Sequence, residues 1–85
     1  MYVLVYKATV AKELRGLPKS ELRKVIRRIQ LLADDPRAKG CIKLQGADEI
    51  YRVRQGDYRI IYAINDSSVT VLVIKVGHRK DVYER

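Results

Sequence analysis

Tyr51-Arg52-Val53-Arg54-Gln55-Gly56-Asp57-Tyr58-Arg59-Ile60-Ile61-Tyr62 decides how this chain is built, because arginines alternate there with apolar or aromatic residues on both sides of a Gly-Asp turn. Strand side chains point alternately to two faces, so Arg52 and Arg54 share one face while Tyr51 and Val53 take the other. Ile50 to Arg54 and Tyr58 to Ile64 read as two strands joined at Gln55-Gly56-Asp57, and Val69 to Val76 as a third joined at Asp66-Ser67-Ser68. Connections this short predict an antiparallel meander. Tyr58 and Tyr62 share parity and are expected to pack inward, whereas Tyr51 suits either core or rim.

Upstream, Tyr2 to Tyr6 is rich in β-branched and aromatic residues and reads as a first strand. Thr9 is a candidate cap for a helix whose weak apolar stripe, Val10, Ala11 and Leu14, stops at Gly16. Pro18 suits the first turn of a second helix, with Ser20 as an alternative cap. Leu22, Val25, Ile26, Ile29, Leu32 and Ala33 then recur at helical spacing, and Arg23, Lys24, Arg27 and Arg28 take the remaining surface. Asp34-Asp35-Pro36 ends that helix. The segment from there to Asp48 has little periodicity and reads as a connecting loop, with Lys43-Leu44 able to anchor it to the sheet. The β-α-α-β-β-β order predicts an α+β domain spanning residues 1–85: an antiparallel four-stranded sheet, two helices packed on one face, and a basic concavity on the other. The first strand is expected to return beside a member of the meander.

Eighteen Lys and Arg against ten Asp and Glu give a net charge of +8, which favours an acidic partner such as RNA, DNA or an acidic protein. Cys41 alone cannot form an internal disulfide, no charged leader precedes an apolar segment of signal length, and the apolar runs are too short to span a membrane. Residence in the cytoplasm, away from the membrane, is the expectation. Asn65-Asp66-Ser67 is formally a glycosylation acceptor but reads better as a hairpin turn.

Arg52, Arg54, Arg59 and Arg79 offer forked donors that grip phosphate oxygens at two points. Their plain alternative is a solvated sheet face on which arginine stems cover apolar surface. His78 is the only imidazole, hence the only side chain whose ordinary pKa suits giving and taking protons near neutrality. Tyr83 can orient a nucleophile or exchange a proton, and Arg79 can stabilise charge developing on phosphate; structurally, the same tyrosine would only pin the chain end. Lys43 and Lys80 extend the set of candidate phosphate contacts. One His and one Cys at distant positions form no metal-ligand motif, and no Gly-rich phosphate loop or nucleophile elbow is present, so neither metal nor cofactor is expected.

These residues resemble those of the RelE family within the RelE/ParE superfamily of bacterial and archaeal toxins. The resemblance runs through Leu31-Leu32-Ala33-Asp34-Asp35-Pro36, Lys43-Leu44-Gln45-Gly46, the central stretch from Tyr51 to Tyr62, and the ending Val76-Gly77-His78-Arg79-Lys80-Asp81-Val82-Tyr83. It implies a metal-independent endoribonuclease that cuts messenger RNA in the ribosomal decoding site. The ribose 2′-hydroxyl would attack the adjacent phosphate, leaving a 2′,3′-cyclic phosphate or its 3′-phosphate product. A small RelB-like antitoxin, or one of another family, would hold it inactive, in a complex that can reach a heterotetramer. The family's basic active-surface positions fall on Arg52, Arg54, Arg59 and Arg79, and its terminal aromatic on Tyr83. Well-studied active members carry lysines at the first two positions. Arginine stays protonated and is a poor base, so His78 becomes the replacement base, with Tyr83 second. Two alternatives stand beside this reading: a weak or inactive toxin-like protein that still binds antitoxin or nucleic acid, and a gyrase-poisoning ParE-like toxin. With two residues after Tyr83, no additional C-terminal helix is expected.

Overall fold

The computed structural model describes residues 1–44, 46 and 48–80. The central stretch forms the expected hairpin: β3 (Ile50–Gln55) and β4 (Tyr58–Asn65) pair antiparallel, with Arg54 opposite Arg59 and Gln55 opposite Tyr58. Gly56, the first of the two loop residues, has φ 60°. A positive φ at that place matches the turn to the right-handed twist of the strands, and glycine adopts it without a steric cost. β5 (Thr70–His78) pairs antiparallel with β4, and β1 (Val3–Tyr6) returns along β5 in parallel, from Val3 opposite Thr70 to Tyr6 opposite Val73.

The sheet has five strands in the order β1-β5-β4-β3-β2, one more than the four expected. The extra member, β2 (Ile42–Lys43), pairs with β3, Ile42 opposite Arg52 and Lys43 opposite Tyr51. Two residues carry no readable alternation, so the strand itself is defined by its partner within a segment read as loop; Lys43-Leu44 does anchor that segment to the sheet as expected, the Leu44 N–H donating to the Ile50 carbonyl at 2.8 Å.

Helix α1 (Ala8–Arg15) follows β1 after a single residue. The Lys7 N–H donates to the Val73 carbonyl at 2.9 Å, extending the β1–β5 ladder, while the Lys7 carbonyl accepts the Val10 N–H at 3.0 Å. Lys7 is therefore the N-cap, without a side-chain bond, and Thr9 lies inside the helix, where it cannot cap it. In α2 (Lys19–Asp34) the N-cap is Pro18, whose carbonyl accepts the Leu22 N–H at 2.8 Å, and Ser20 is likewise already helical. A further departure is Val69, which has φ 52°. A β-branched residue in the left-handed region cannot continue a ladder, so β5 starts one residue later than its sequence suggests.

Both helices cover the same face. Val10 from α1 and Val25, Ile29 and Leu32 from α2 meet Tyr51, Val53, Ile60, Tyr62, Ile64, Val71, Val73 and Val76 in one core. Ala11, included in the expected α1 stripe, is exposed, while Leu14 packs at the core's margin. Tyr51 resolves to the core, 8% exposed, with its ring stacked on Tyr62 at 5.9 Å between centroids. The buried Tyr62 hydroxyl donates to the Pro36 carbonyl at 2.6 Å, fixing the chain where it leaves α2. Among the described residues, no helix is long and apolar enough to cross a membrane.

Candidate functional site

A single irregularity sorts the chemistry-bearing residues of β5. Ile61 pairs with Lys75 but its neighbour Tyr62 pairs with Val73, so Ile74 is an extra residue on β5. A one-residue bulge exchanges the faces of every side chain beyond it. Val71 and Val73 point into the core before the bulge, and Val76 does so after it. His78 follows the parity of Val76 and sits opposite Tyr58, with ring centroids 5.6 Å apart and planes at 84°. Gly77, opposite Arg59, takes the helix-free face. Arg79 follows the parity of Gly77.

Arg54, Arg59 and Arg79 accordingly line one cleft of about 250 Å³ with Gly56 and Asp57 at the hairpin tip. Arg54 and Arg59 are cross-strand partners. The Arg79 N–H donates to the Asp57 carbonyl at 2.7 Å, and its Nε lies 3.9 Å from Asp57 Oδ1, so the tip holds the chain that carries the third guanidinium. Arg59 is half-buried, which restrains its fork, whereas Arg54 and Arg79 are exposed. Arg52 is on the same face one pair further in, opposite Ile61, and is only 8% exposed.

The remaining sequence candidates are placed apart from this cleft. Lys43 pairs with Tyr51 on the opposite parity and lies 3.9 Å from Glu49. Lys80 is exposed, and its backbone N–H donates to His78 Nδ1 at 3.3 Å. His78 lines recesses on the helix side, bounded by Glu21 and Gln55 on one flank and by Glu13 and Leu17 on the other. Tyr83 lies outside the described residues.

Two structural devices had no local signal in the sequence. Glu13 Oε1 accepts the Val76 N–H at 2.9 Å and Oε2 accepts from Lys75 Nζ at 3.1 Å, so α1 supplies a partner to the edge of β5 beyond the end of β1. At the other end of the sheet Arg37 pairs with Glu49 and with Asp66 (2.9 Å), donates to the Tyr51 hydroxyl at 3.1 Å, and lies over the Tyr51 ring. The hydrogen bond to Asp66 raises the Arg37 pKa above its ordinary value, and the Arg37 guanidinium in turn holds the Asp66 carboxyl below its own. Burial pushes the Tyr62 phenol upward. These partners lie 12 to 29 residues from Arg37 and were beyond the reach of any periodicity argument.

Three guanidiniums converging on one recess can hold a phosphate and spread the charge that develops on it during in-line displacement, but none can serve as a base at neutral pH. Among the described residues, no three His, Cys, Asp or Glu side chains lie together as metal ligands.

Comparison with known proteins meets this geometry from another direction. Residues 4–83 match the family described as the ParE toxin of the type II toxin-antitoxin system parDE. A protein of Methanocaldococcus jannaschii that carries the name RelE1 is 36% identical over 88% of this chain and 87% of its own. The Escherichia coli mRNA interferase toxin RelE is 30% identical over 93% of this chain and 84% of its own. Among solved structures, the RelE–RelB complex of Pyrococcus horikoshii superimposes with a TM-score of 0.80 at 32% identity, covering 95% of this chain and 98% of that one. The isolated E. coli RelE toxin gives 0.82 at 28% identity, covering 92% and 84%. In sequence and in fold alike, the chain belongs to the RelE/ParE superfamily of type II toxin-antitoxin toxins.

Proposed function

We propose that this toxin cleaves messenger RNA on the ribosome and is held inactive by a small antitoxin. The observation that carries the reading is the convergence of Arg54, Arg59 and Arg79 on one cleft at the open end of the sheet. The name of the E. coli relative, an mRNA interferase, supports the reaction class. In that reaction the 2′-oxygen forms a bond to the adjacent phosphorus, the bond from phosphorus to the 5′-oxygen breaks, the 2′-hydroxyl proton passes to a base and the leaving oxygen gains a proton. The product carries a 2′,3′-cyclic phosphate. Arg54 and Arg79 bind the substrate's phosphates, and Arg59, restrained by partial burial, stabilises the charge on the scissile one. Arg52 supports the cleft from the row behind.

Proton transfer falls to Tyr83, the second proton-transfer candidate of the sequence, four residues after Arg79 in the chain. His78, the other sequence candidate for the base, projects on the opposite parity from the arginines. Brief expression without antitoxin, followed by mapping of messenger ends, tests the reaction. Cyclic or 3′-phosphate ends are expected from the wild type and from His78→Gln, and their loss from Tyr83→Phe. Intact messenger with gyrase trapped on DNA would overturn the reading.

Antitoxin complexes of related toxins, including the P. horikoshii one, support the partner. Its acidic side chains would enter the arginine cleft, and its apolar ones would cover exposed Val3, Val5 and Ile42 on the sheet and Leu31 on α2. Light scattering of toxin and complex gives the stoichiometry, for which two copies of each chain is the expectation.

A further inference from the structure

The arginine cleft has a counterpart on the other side of the sheet. Gln55, Tyr58 and His78 form one row across three strands, Gln55 opposite Tyr58 and Tyr58 opposite His78. Each is the chain neighbour of a cleft arginine: Gln55 of Arg54, Tyr58 of Arg59, His78 of Arg79. Adjacent strand residues face opposite ways, so the two rows stand back to back at the free end of the sheet. Gly56 and Asp57 line both recesses, so the two meet at this two-residue tip.

The second recess, about 280 Å³, has the equipment for a flat heterocycle. Two half-buried rings meet edge to face within it, a hydrophobic surface with a polar margin. His78 Nδ1 accepts the Lys80 N–H, which leaves Nε2 as the ring's donor. Glu21, in the first turn of α2, reaches over the tip: its Oε2 lies 3.9 Å from where a Cβ on Gly56 would stand. Among the described residues, no hydrogen bond or ion pair engages the Glu21 carboxylate. Lys24 also lines the recess, but the two carboxylates of Glu21 and Asp57 outnumber that one cation, so the recess favours a base edge over the phosphate backbone. The Glu21 carboxylate accepts from the amino groups of guanine, adenine or cytosine and is repelled by the flanking carbonyl oxygens of uracil.

We propose that this recess, resting on the messenger-cleavage reading, receives the nucleobase beside the phosphate held by the arginines. His78 and Tyr58 clasp its ring, and Glu21 selects bases that present an amino group. The substrate strand passes over the hairpin tip with its phosphate on one face of the sheet and the neighbouring base on the other. His78 is thus a specificity and positioning residue, which accounts for its parity opposite the arginines. Recognition of unstacked bases by aromatic rings and polar edges is the general mode for single-stranded RNA.

The test uses ribosomes programmed with messengers that differ only in the bases flanking the scissile phosphate. Wild type is expected to disfavour uracil at one flanking position by about tenfold in kcat/KM, the scale of one well-placed base contact. Glu21→Gln, whose amide offers a donor as well as an acceptor, should narrow that ratio to about twofold while the folded state, by circular dichroism, is unchanged. His78→Ala should raise KM for every messenger and leave kcat at saturation near normal. An unchanged base preference in both variants, with cleavage intact, overturns the inference and leaves the cleavage reading standing. If the wild type cuts no messenger, the cleavage reading itself fails. The recess is then judged by NMR: ApA must shift the Tyr58 and His78 ring signals more than UpU, and equal or absent shifts would refute it.

Discussion

Arg59→Ala is the sharpest perturbation of the arginine cleft. Arg59 is flanked on its face by Arg54 and Gly77, its cross-strand partners, and shares a cleft with Arg79. Gly77 offers no side chain to obstruct the fork, and half-burial limits the rotamers from which it reaches a phosphate. Loss of one preorganised donor to a developing oxyanion costs about 3 kcal/mol, on the order of 100-fold in the chemical step at about 1.4 kcal/mol per decade. Arg59→Lys restores the charge without the fork and should recover part of that loss, about tenfold. The assay is single-turnover cleavage at saturating programmed ribosomes, which separates chemistry from docking, with thermal melts to establish folding. A folded Arg59→Ala protein that cleaves at the wild-type rate would refute the assignment and return Arg59 to a structural role on the sheet.

Tyr62→Phe removes the buried hydroxyl bound to the Pro36 carbonyl and should cost about 1–2 kcal/mol in chemical denaturation, because the carbonyl loses its partner inside the protein; an unchanged midpoint would show that solvent replaces it. Val69→Asn should stabilise by up to about 1 kcal/mol, since asparagine tolerates the left-handed backbone that Val69 is forced to adopt and Val69 is 44% exposed. Lower stability in that variant would mean that its side chain contributes more than its backbone strain costs. Asp66 is held below its ordinary pKa of 3.8 by Arg37, so its contribution is complete above that pH and is lost as pH falls through the lower folded value. Melting curves of wild type and Asp66→Asn should therefore differ at neutral pH and converge in strong acid, and a difference persisting at the lowest pH would locate its source elsewhere.

The alternation from Tyr51 to Tyr62 was enough to identify the hairpin, the faces of Arg52, Arg54 and Arg59, and the inward pointing of Tyr62, because those features follow from a period of two within one ladder. The helical stripe of α2 was equally legible, through Val25, Ile29, Leu32 and Ala33. What escaped was set by partners distant in the chain. β2 exists because β3 lies beside it, Lys7 caps α1 because β5 holds its amide, and Arg37 collects Glu49 and Asp66 from two separate loops and Tyr51 from β3. The placement of His78 turned on Ile74, an apolar residue that looks like any other in a β-branched run. Counting alternation straight through it puts His78 beside the arginines; the bulge puts Arg79 there instead.

The parallel pairing of β1 with β5 orders the events of synthesis. β5 occupies an interior position in the sheet, between β1 and β4, yet among the described strands it is the last to leave the ribosome. Until it emerges, β1 has no partner, the edge of β4 is open, and Arg79 cannot join Arg54 and Arg59. A nascent chain can form the β3–β4 hairpin and α2, whose contacts are local, but the completed cleft waits for long-range closure, the slow part of folding for such topologies. The cleft consequently closes only after all five described strands have been made. That interval gives an antitoxin already present in the cell an incompletely closed sheet to meet.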